Sequence, residues 1–259
     1  FNEKKNIDYY ANKLTTAFLK NKLISPIPKI YSNKLVNADK FRKLCEKKIK
    51  KPIAGFKAGG TGLALIKKLK EKEPFIASVY KHNVLKNNQK IKINKYVLGI
   101  ELEVCYLIKK DFFTHKKKLT KKNVTKIITH IGPCIEIAGY RQKKKGIKSF
   151  GDLSSDFGGN IKFVLGKLKK YKNQKVKNLK TYIFNRSDSQ RVIGNTNTVY
   201  RDPINSLLFV LKKLKKDKVD HKSNFYVFTG STVGVVPITS KGTYTGYIKD
   251  LGTVRARIS

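Results

Sequence analysis

Residues 98–108 read "LGIELEVCYLI", an apolar run that carries two glutamates one residue apart. In a β-strand, positions i and i+2 face the same way. Leu98, Ile100, Leu102, Val104, Tyr106 and Ile108 then form one apolar face, and Glu101 and Glu103 share the other. A third acid, Glu136, has similar surroundings in "GPCIEIAGYR". Apolar surroundings are costly for carboxylates unless positive charge compensates them. Three carboxylates on neighbouring strands would make a hard-oxygen site suited to Mg²⁺, which keeps water positions open for a substrate. The alternative is that Glu101 and Glu103 pair with lysines on an edge strand or in solvent.

Such a site needs a strand-rich scaffold. Residues 8–24 place Tyr9, Leu14, Phe18 and Leu23 near helical spacing, and "NADKFRKLCEKKIK" predicts a second helix with Asn37 as its cap. A Gly-rich turn, "AGFKAGGTG", and a short helix, "LALIKKLKEK", follow. From about residue 74 short apolar strands alternate with polar turns, from "PFIASVY" to "TVRARIS". One helix interrupts them, "DPINSLLFVLKKLKKDK", with Asp202 as cap and Pro203 at its first position. Helices first and strands later predict an α+β fold and no repeating βαβ unit. The division expected is a helical N-terminal segment, 1–50, and a strand-rich domain, 51–259.

The chain has 259 residues and a net charge of +41. That charge raises the possibility of a nucleic-acid-binding protein. However, 51 of the 58 basic residues are lysine, scattered along the chain, whereas base recognition relies on bidentate arginine. No specific nucleic-acid partner is therefore expected; attraction of small anions follows in either case. Cys45, Cys105 and Cys134 are odd in number and lack metal-binding spacing, and the four histidines form no paired motif. The cysteines favour a reducing compartment, so a cytoplasmic location is expected. No apolar run is long enough to span a membrane, and "FNEKKNIDYY" lacks the apolar centre of a secretory signal.

The order GFK, EP, ELE, IEIAGYR, FVLG, DPIN, FTGS resembles the fumarylacetoacetate hydrolase superfamily, most closely its branch of 2-keto-4-pentenoate hydratases and 4-oxalocrotonate decarboxylases. The likeness runs from about residue 50 to the C-terminus and more faintly through the N-terminal helices. It implies a mixed, barrel-like β-roll core of the fumarylacetoacetase C-terminal type. It also implies Mg²⁺ or Mn²⁺ on Glu101, Glu103 and Glu136, a small anionic 2-oxo acid as substrate, and a homo-oligomer. Lys57, in "GFKAGG", would meet the substrate carboxylate or steady an enolate; as a plain residue it is a solvated turn lysine. Ser231, in "FTGST", would lie at the site rim, or simply end a strand in a tight turn. Arg141 would orient Glu136 or meet a second substrate carboxylate, with a surface ion pair as the alternative.

Three departures from the family pattern bear on chemistry. "KHN" puts His82 where a carboxylate is expected, and histidine can serve as an acid or base near neutral pH. "SSDFGGN" keeps the acid as Asp156 but replaces the following amide residue with Phe157. "NTNTVYRDPIN" has lost the glycines expected before the helix. The implied reaction is hydration of a 2-hydroxydienoate to a 4-hydroxy-2-oxo acid, with Lys57 and His82 or Asp156 handling protons. A decarboxylase or C–C hydrolase on the same metal site is the alternative.

Overall fold

The computed structural model describes residues 2–259, with side chains from residue 6 onward. Phe1, with which the expected N-terminal segment begins, lies outside the described residues. Two helices lead, α1 (Asn2–Lys20) and α2 (Leu35–Lys48). Next come β1 (Ile53–Gly59), α3 (Leu63–Lys68), β2 (Phe75–Tyr80) and the short strands β3 (Val84–Leu85) and β4 (Lys90–Ile91). The long strands β5 (Val97–Ile108) and β6 (Ile128–Gly139) flank a short helix, α4 (Lys121–Val124). After them run α5 (Phe150–Ser155), β7 (Asn160–Leu165), β8 (Lys169–Lys170), β9 (Lys180–Asn185) and β10 (Gln190–Asn195). The chain ends with α6 (Pro203–Lys216), β11 (Phe225–Ser231), β12 (Gly242–Ile248) and β13 (Gly252–Ile258).

The fold is α+β, with two sheets. One has eight strands in the order β2-β1-β11-β5-β6-β7-β3, with β8 beside β6; the other runs β10-β9-β12-β13-β4. Along β5 the alternation seen in sequence holds. Ile100, Leu102, Val104, Tyr106 and Ile108 are buried in the main core with Leu207, Leu211 and Leu214 of α6 and Tyr244, Val254 and Ala256 of the second sheet. Burying each such side chain contributes about 1.5–3 kcal/mol, which fixes the register, since a slip of one residue would turn the whole row outward. The opposite face carries a smaller apolar group, Cys105, Cys134, Phe163 and Phe228, below the acidic residues. All three cysteines are free and buried.

The eight-stranded sheet curls into a half-barrel. Lys57 on β1 touches Glu136 on β6, although β11 and β5 stand between those strands. On a flat sheet the strands would be roughly 14 Å apart with side chains standing parallel, so curvature must bring them together. Helices α1 and α2 pack through Leu14, Phe18, Phe41 and Cys45 and meet the end of β2 at Tyr80 and the turn before β7 at Phe157.

Several local expectations are corrected. The segment expected as a Gly-rich turn is largely strand β1, because β2 pairs on one side and β11 on the other; cross-strand hydrogen bonds outweigh glycine's weak strand preference. Asn37 lies inside α2 and does not cap it; its amide donates to the Ile30 carbonyl. Helix α5, capped reciprocally by Ser149 and Asp152, and strand β10 were not anticipated. Asp202 does cap α6, accepting from the Ile204 N–H at 3.1 Å. Among the described residues, no helix is long and apolar enough to cross a membrane.

Candidate metal centre

Strands β5 and β6 pair with Glu101 opposite Glu136 and Glu103 opposite Cys134. This register puts the three carboxylates on one concave face, two facing each other and one diagonal. Each offers an oxygen within 4.8 Å of the other two. Oxygens bound to one divalent ion at about 2.0–2.6 Å can be no more than about 4–5 Å apart, so a shared ion fits. Glu103 and Glu136 are fully buried, and Glu101 is half-buried, facing a cavity of about 400 Å³.

The partners of the trio are few. Lys57 Nζ donates to Glu136 Oε1 at 2.5 Å and to the Gly158 carbonyl at 3.0 Å. The Gly230 N–H donates to Glu103 Oε2 at 3.0 Å. Glu103 Oε1 and Glu136 Oε2 are buried without any partner. Three carboxylates against one ammonium leave two negative charges uncompensated, which a dication would neutralise. In its absence, burial and the neighbouring Glu136 push the Glu101 carboxyl up to about 8. Burial, then Glu136 and Glu101, raise Glu103 well above the usual range. For Lys57, burial favours the neutral amine, but Glu136, Glu101 and Glu103 outweigh it and raise its pKa. The orphaned oxygens, the spacing and the charge deficit all suit a hard divalent cation.

Two glycines support this geometry. Gly158 has φ +76°, and a Cβ there would fall 2.4 Å from the Ala77 Cβ; only glycine lets its carbonyl turn to Lys57. Gly230 has φ +110°, and a Cβ would meet the Thr61 hydroxyl at 2.1 Å. Neither position was singled out from sequence, although "FGGN" and "FTGS" both drew notice. A glycine's backbone role is visible only when its carbonyl or N–H has a known partner.

The other expected site residues fall in different places. Lys57 lines the cavity beside Glu101 and is buried, not a solvated turn residue. Ser231 also lines it, but its hydroxyl donates to the Gly234 carbonyl at 2.6 Å and accepts from the Val233 N–H, which closes its own turn. Arg141 is buried away from the cavity walls, 3.6 Å from Asp156 and stacked over Phe18 and Phe157. It touches neither Glu136 nor the cavity. Asp156 is fully buried and accepts from the Arg141 N–H and the Gln142 amide, both at 2.8 Å. Its main-chain carbonyl accepts from the Gly159 N–H in the turn that carries Gly158, and the residue does not line the cavity. His82 is exposed against Phe18 and Tyr80, also off the cavity walls. Burial and nearby Lys162, Lys51 and Arg141 lower its pKa.

No family model matches the sequence, and no curated protein matches it. Solved structures do. The 4-oxalocrotonate decarboxylase of Pseudomonas putida G7, complexed with magnesium and adipate, superposes with a TM-score of 0.83 at 16% identity, over 100% of this chain and 99% of that one. Its complex with calcium and acetate gives 0.82 over the same shares. A protein of Yersinia pestis CO92, provisionally described as of the fumarylacetoacetate hydrolase family, gives 0.53 at 16% identity over 82% of this chain and 95% of that one. The chain shares its fold with these structures. At such identity the likeness speaks for the fold; what the site does must be argued from its own residues.

Proposed function

We propose that this chain is a divalent-metal-dependent enzyme that adds water to a 2-hydroxydienoate, giving a 4-hydroxy-2-oxo acid. The convergence of Glu101, Glu103 and Glu136 beside Lys57 carries the reading. Metal dependence is supported by the two unmatched charges and by likeness to a decarboxylase described with magnesium and calcium. Hydration is supported by the motif order from GFK to FTGS. On this reading residues 51–259 form the catalytic domain, with a β-roll core of the fumarylacetoacetase C-terminal type. Residues 1–50 form the N-terminal segment, and the protein is a cytoplasmic homo-oligomer.

When bound, Mg²⁺ or Mn²⁺ supplies Lewis acidity that draws electron density from the 2-oxo group. The three glutamates fix the ion's place in the concave face, and Gly230 holds one of them still. An ammonium has three N–H donors, and Lys57 spends two on Glu136 and Gly158. The third is free for the substrate oxygen that gains charge as the enolate forms, a fixed donor in a site sheltered from water. The dienol loses its hydroxyl proton and gains one at C5. Water then adds its oxygen at C4 and a proton at C3, for a net gain of one water. Proton movement falls to Lys57 and cavity water, because His82 and Asp156 do not line the cavity.

Decarboxylation of a related 2-oxo acid is the second reading, favoured by the TM-score of 0.83 to the decarboxylase. The test is turnover of 2-hydroxypenta-2,4-dienoate by protein stripped of metal and reloaded with Mg²⁺ or Mn²⁺. Activity is expected only after reloading and is expected to vanish in Glu101→Ala and Glu103→Ala. Undiminished turnover in both variants would sink the proposal.

A further inference from the structure

Helix α3 separates the metal cavity from a second one of about 760 Å³. Leu63 and Ile66 line the second cavity, whereas Ala64 and Leu65, on the opposite side of the helix, line the first. The two cavities share no lining residue. The floor of the second is apolar, with Leu119 and Leu208 beside the half-buried rings of Tyr200 and Phe209, set edge to face at 6.1 Å. Around it stand the exposed side chains of Lys72, Lys118, Lys121, Arg201 and Lys212, and among the described residues no carboxylate lines the cavity. Its volume lies within the range of small-molecule sites, about 300–1,000 Å³.

Two of these residues sit on backbone that favours glycine. Tyr200 has φ +48° and Arg201 φ +70°, in the "NTNTVYRDPIN" segment whose sequence lacks the expected glycines. The left-handed region is unfavourable for any residue with a Cβ. Here it is held by the Tyr200 N–H, which donates to the Thr61 carbonyl at 2.9 Å, and by the Asn205 amide, which donates to the Tyr200 carbonyl at 3.0 Å. The turn thus keeps a glycine-like path while carrying a ring and a guanidinium, and both side chains line the cavity. Strain of this kind collects where a side chain is needed in place. Arg201 is also one of only seven arginines in the chain.

We propose that this cavity binds a nucleoside polyphosphate, its base on the apolar floor beside Tyr200 and its phosphates among Arg201 and the four lysines. A single carboxylate would leave most of the five cations repelling one another, whereas a polyphosphate offers several charges and many acceptor oxygens. Arginine meets phosphate through two parallel N–H bonds, and lysine meets it as a point charge. A flat base covers the floor that an inorganic polyphosphate would leave open to water, and bases stack well on aromatic rings. The site is independent of the metal centre and of the reaction assigned to it.

Calorimetric titration with ATP, inorganic triphosphate and adenosine tests this, with EDTA present so that no metal bridges a phosphate to the carboxylates. Ionic strength of about 0.15 M weakens the general pull of a +41 chain on polyanions. ATP is expected to bind at least about tenfold tighter than triphosphate or adenosine alone. Tyr200→Gly and Arg201→Gly both suit the left-handed backbone, so each variant is expected to fold. Tyr200→Gly should weaken ATP at least about fivefold and leave triphosphate unchanged, while Arg201→Gly should weaken both by at least about fivefold. Lys169→Ala, on exposed β8 and off the cavity, should change neither. Triphosphate binding as tightly as ATP overturns the proposal, as does an equal loss in Lys169→Ala. Undetectable ATP binding, or ATP affinity unchanged in both glycine variants, overturns it as well.

Discussion

Lys57 Nζ lies 2.5 Å from Glu136 Oε1, joining two strands that are not neighbours in the sheet. Both side chains are almost wholly buried, so the pair is worth more intact than the sum of its halves. Breaking a buried pair from one side strands the other charge and costs about 3–5 kcal/mol. Lys57→Met is expected to lower the urea-unfolding free energy of the metal-free protein by about that much. It should also reduce turnover of 2-hydroxypenta-2,4-dienoate by at least about a hundredfold, as expected when a positioned donor is removed. Unchanged kcat in a folded Lys57→Met protein would remove Lys57 from the reaction.

Stability should depend on pH in a direction set by the acidic trio. The Glu101 carboxyl sits at about 8 in the folded protein against an ordinary 4.5, because burial and Glu136 disfavour its ionised form. A raised carboxyl binds its proton more tightly folded than unfolded. Its contribution is therefore full below 4.5 and is lost as pH rises from 4.5 through 8. Glu103 shifts in the same direction. The metal-free protein should melt at lower temperature at pH 8 than at pH 6, and Mg²⁺ should raise the melting temperature more at pH 8, where fewer protons compete. A melting temperature indifferent to Mg²⁺ at pH 8 would count against the metal centre.

Gly230 holds Glu103 Oε2 through its N–H and has no room for a Cβ beside Thr61. Groups that orient a metal ligand typically affect affinity by 10- to 100-fold. Gly230→Ala is expected to weaken Mg²⁺ or Mn²⁺ binding by at least tenfold in a chelator competition. The variant keeps all three carboxylates but moves the main-chain donor that holds Glu103, so unchanged affinity in a folded Gly230→Ala protein would remove Gly230 from the metal centre.

His82 stands where the family resemblance anticipates an acidic group, yet it packs on Phe18 and Tyr80 outside the cavity. His82→Ala is expected to leave kcat within about twofold. Asp156 is different, because its buried carboxylate accepts from the Arg141 main-chain N–H and the Gln142 amide and lies 3.6 Å from the Arg141 guanidinium. Asp156→Asn is expected to cost about 3 kcal/mol in unfolding free energy, the cost of leaving Arg141 without its counter-charge. Loss of turnover in His82→Ala at unchanged stability would restore the histidine as a proton carrier.

Much of this protein could be read from the chain because period-two alternation carries its own geometry. In β5 the apolar set at 100, 102, 104, 106 and 108 can be buried only if Glu101 and Glu103 face the other way. The same local logic gave the cap and first turn of α6 from Asp202 and Pro203. It failed at β1, whose glycines suit a turn until β2 and β11 pair on both sides.

What alternation cannot supply is distance between strands far apart in sequence. Register set Glu101 against Glu136, and sheet curl carried Lys57 across two intervening strands; both depend on how whole elements pack. The same packing decided which expected residues met the cavity. Arg141, Asp156 and His82 have suitable chemistry, but they lie on the far side of turns whose direction no local pattern encodes. Side-chain type is a property of the chain, whereas convergence belongs to the folded surface. That is why the carboxylates and a shared ion could be expected from the chain, whereas the spacing that lets one ion reach all three came from the fold.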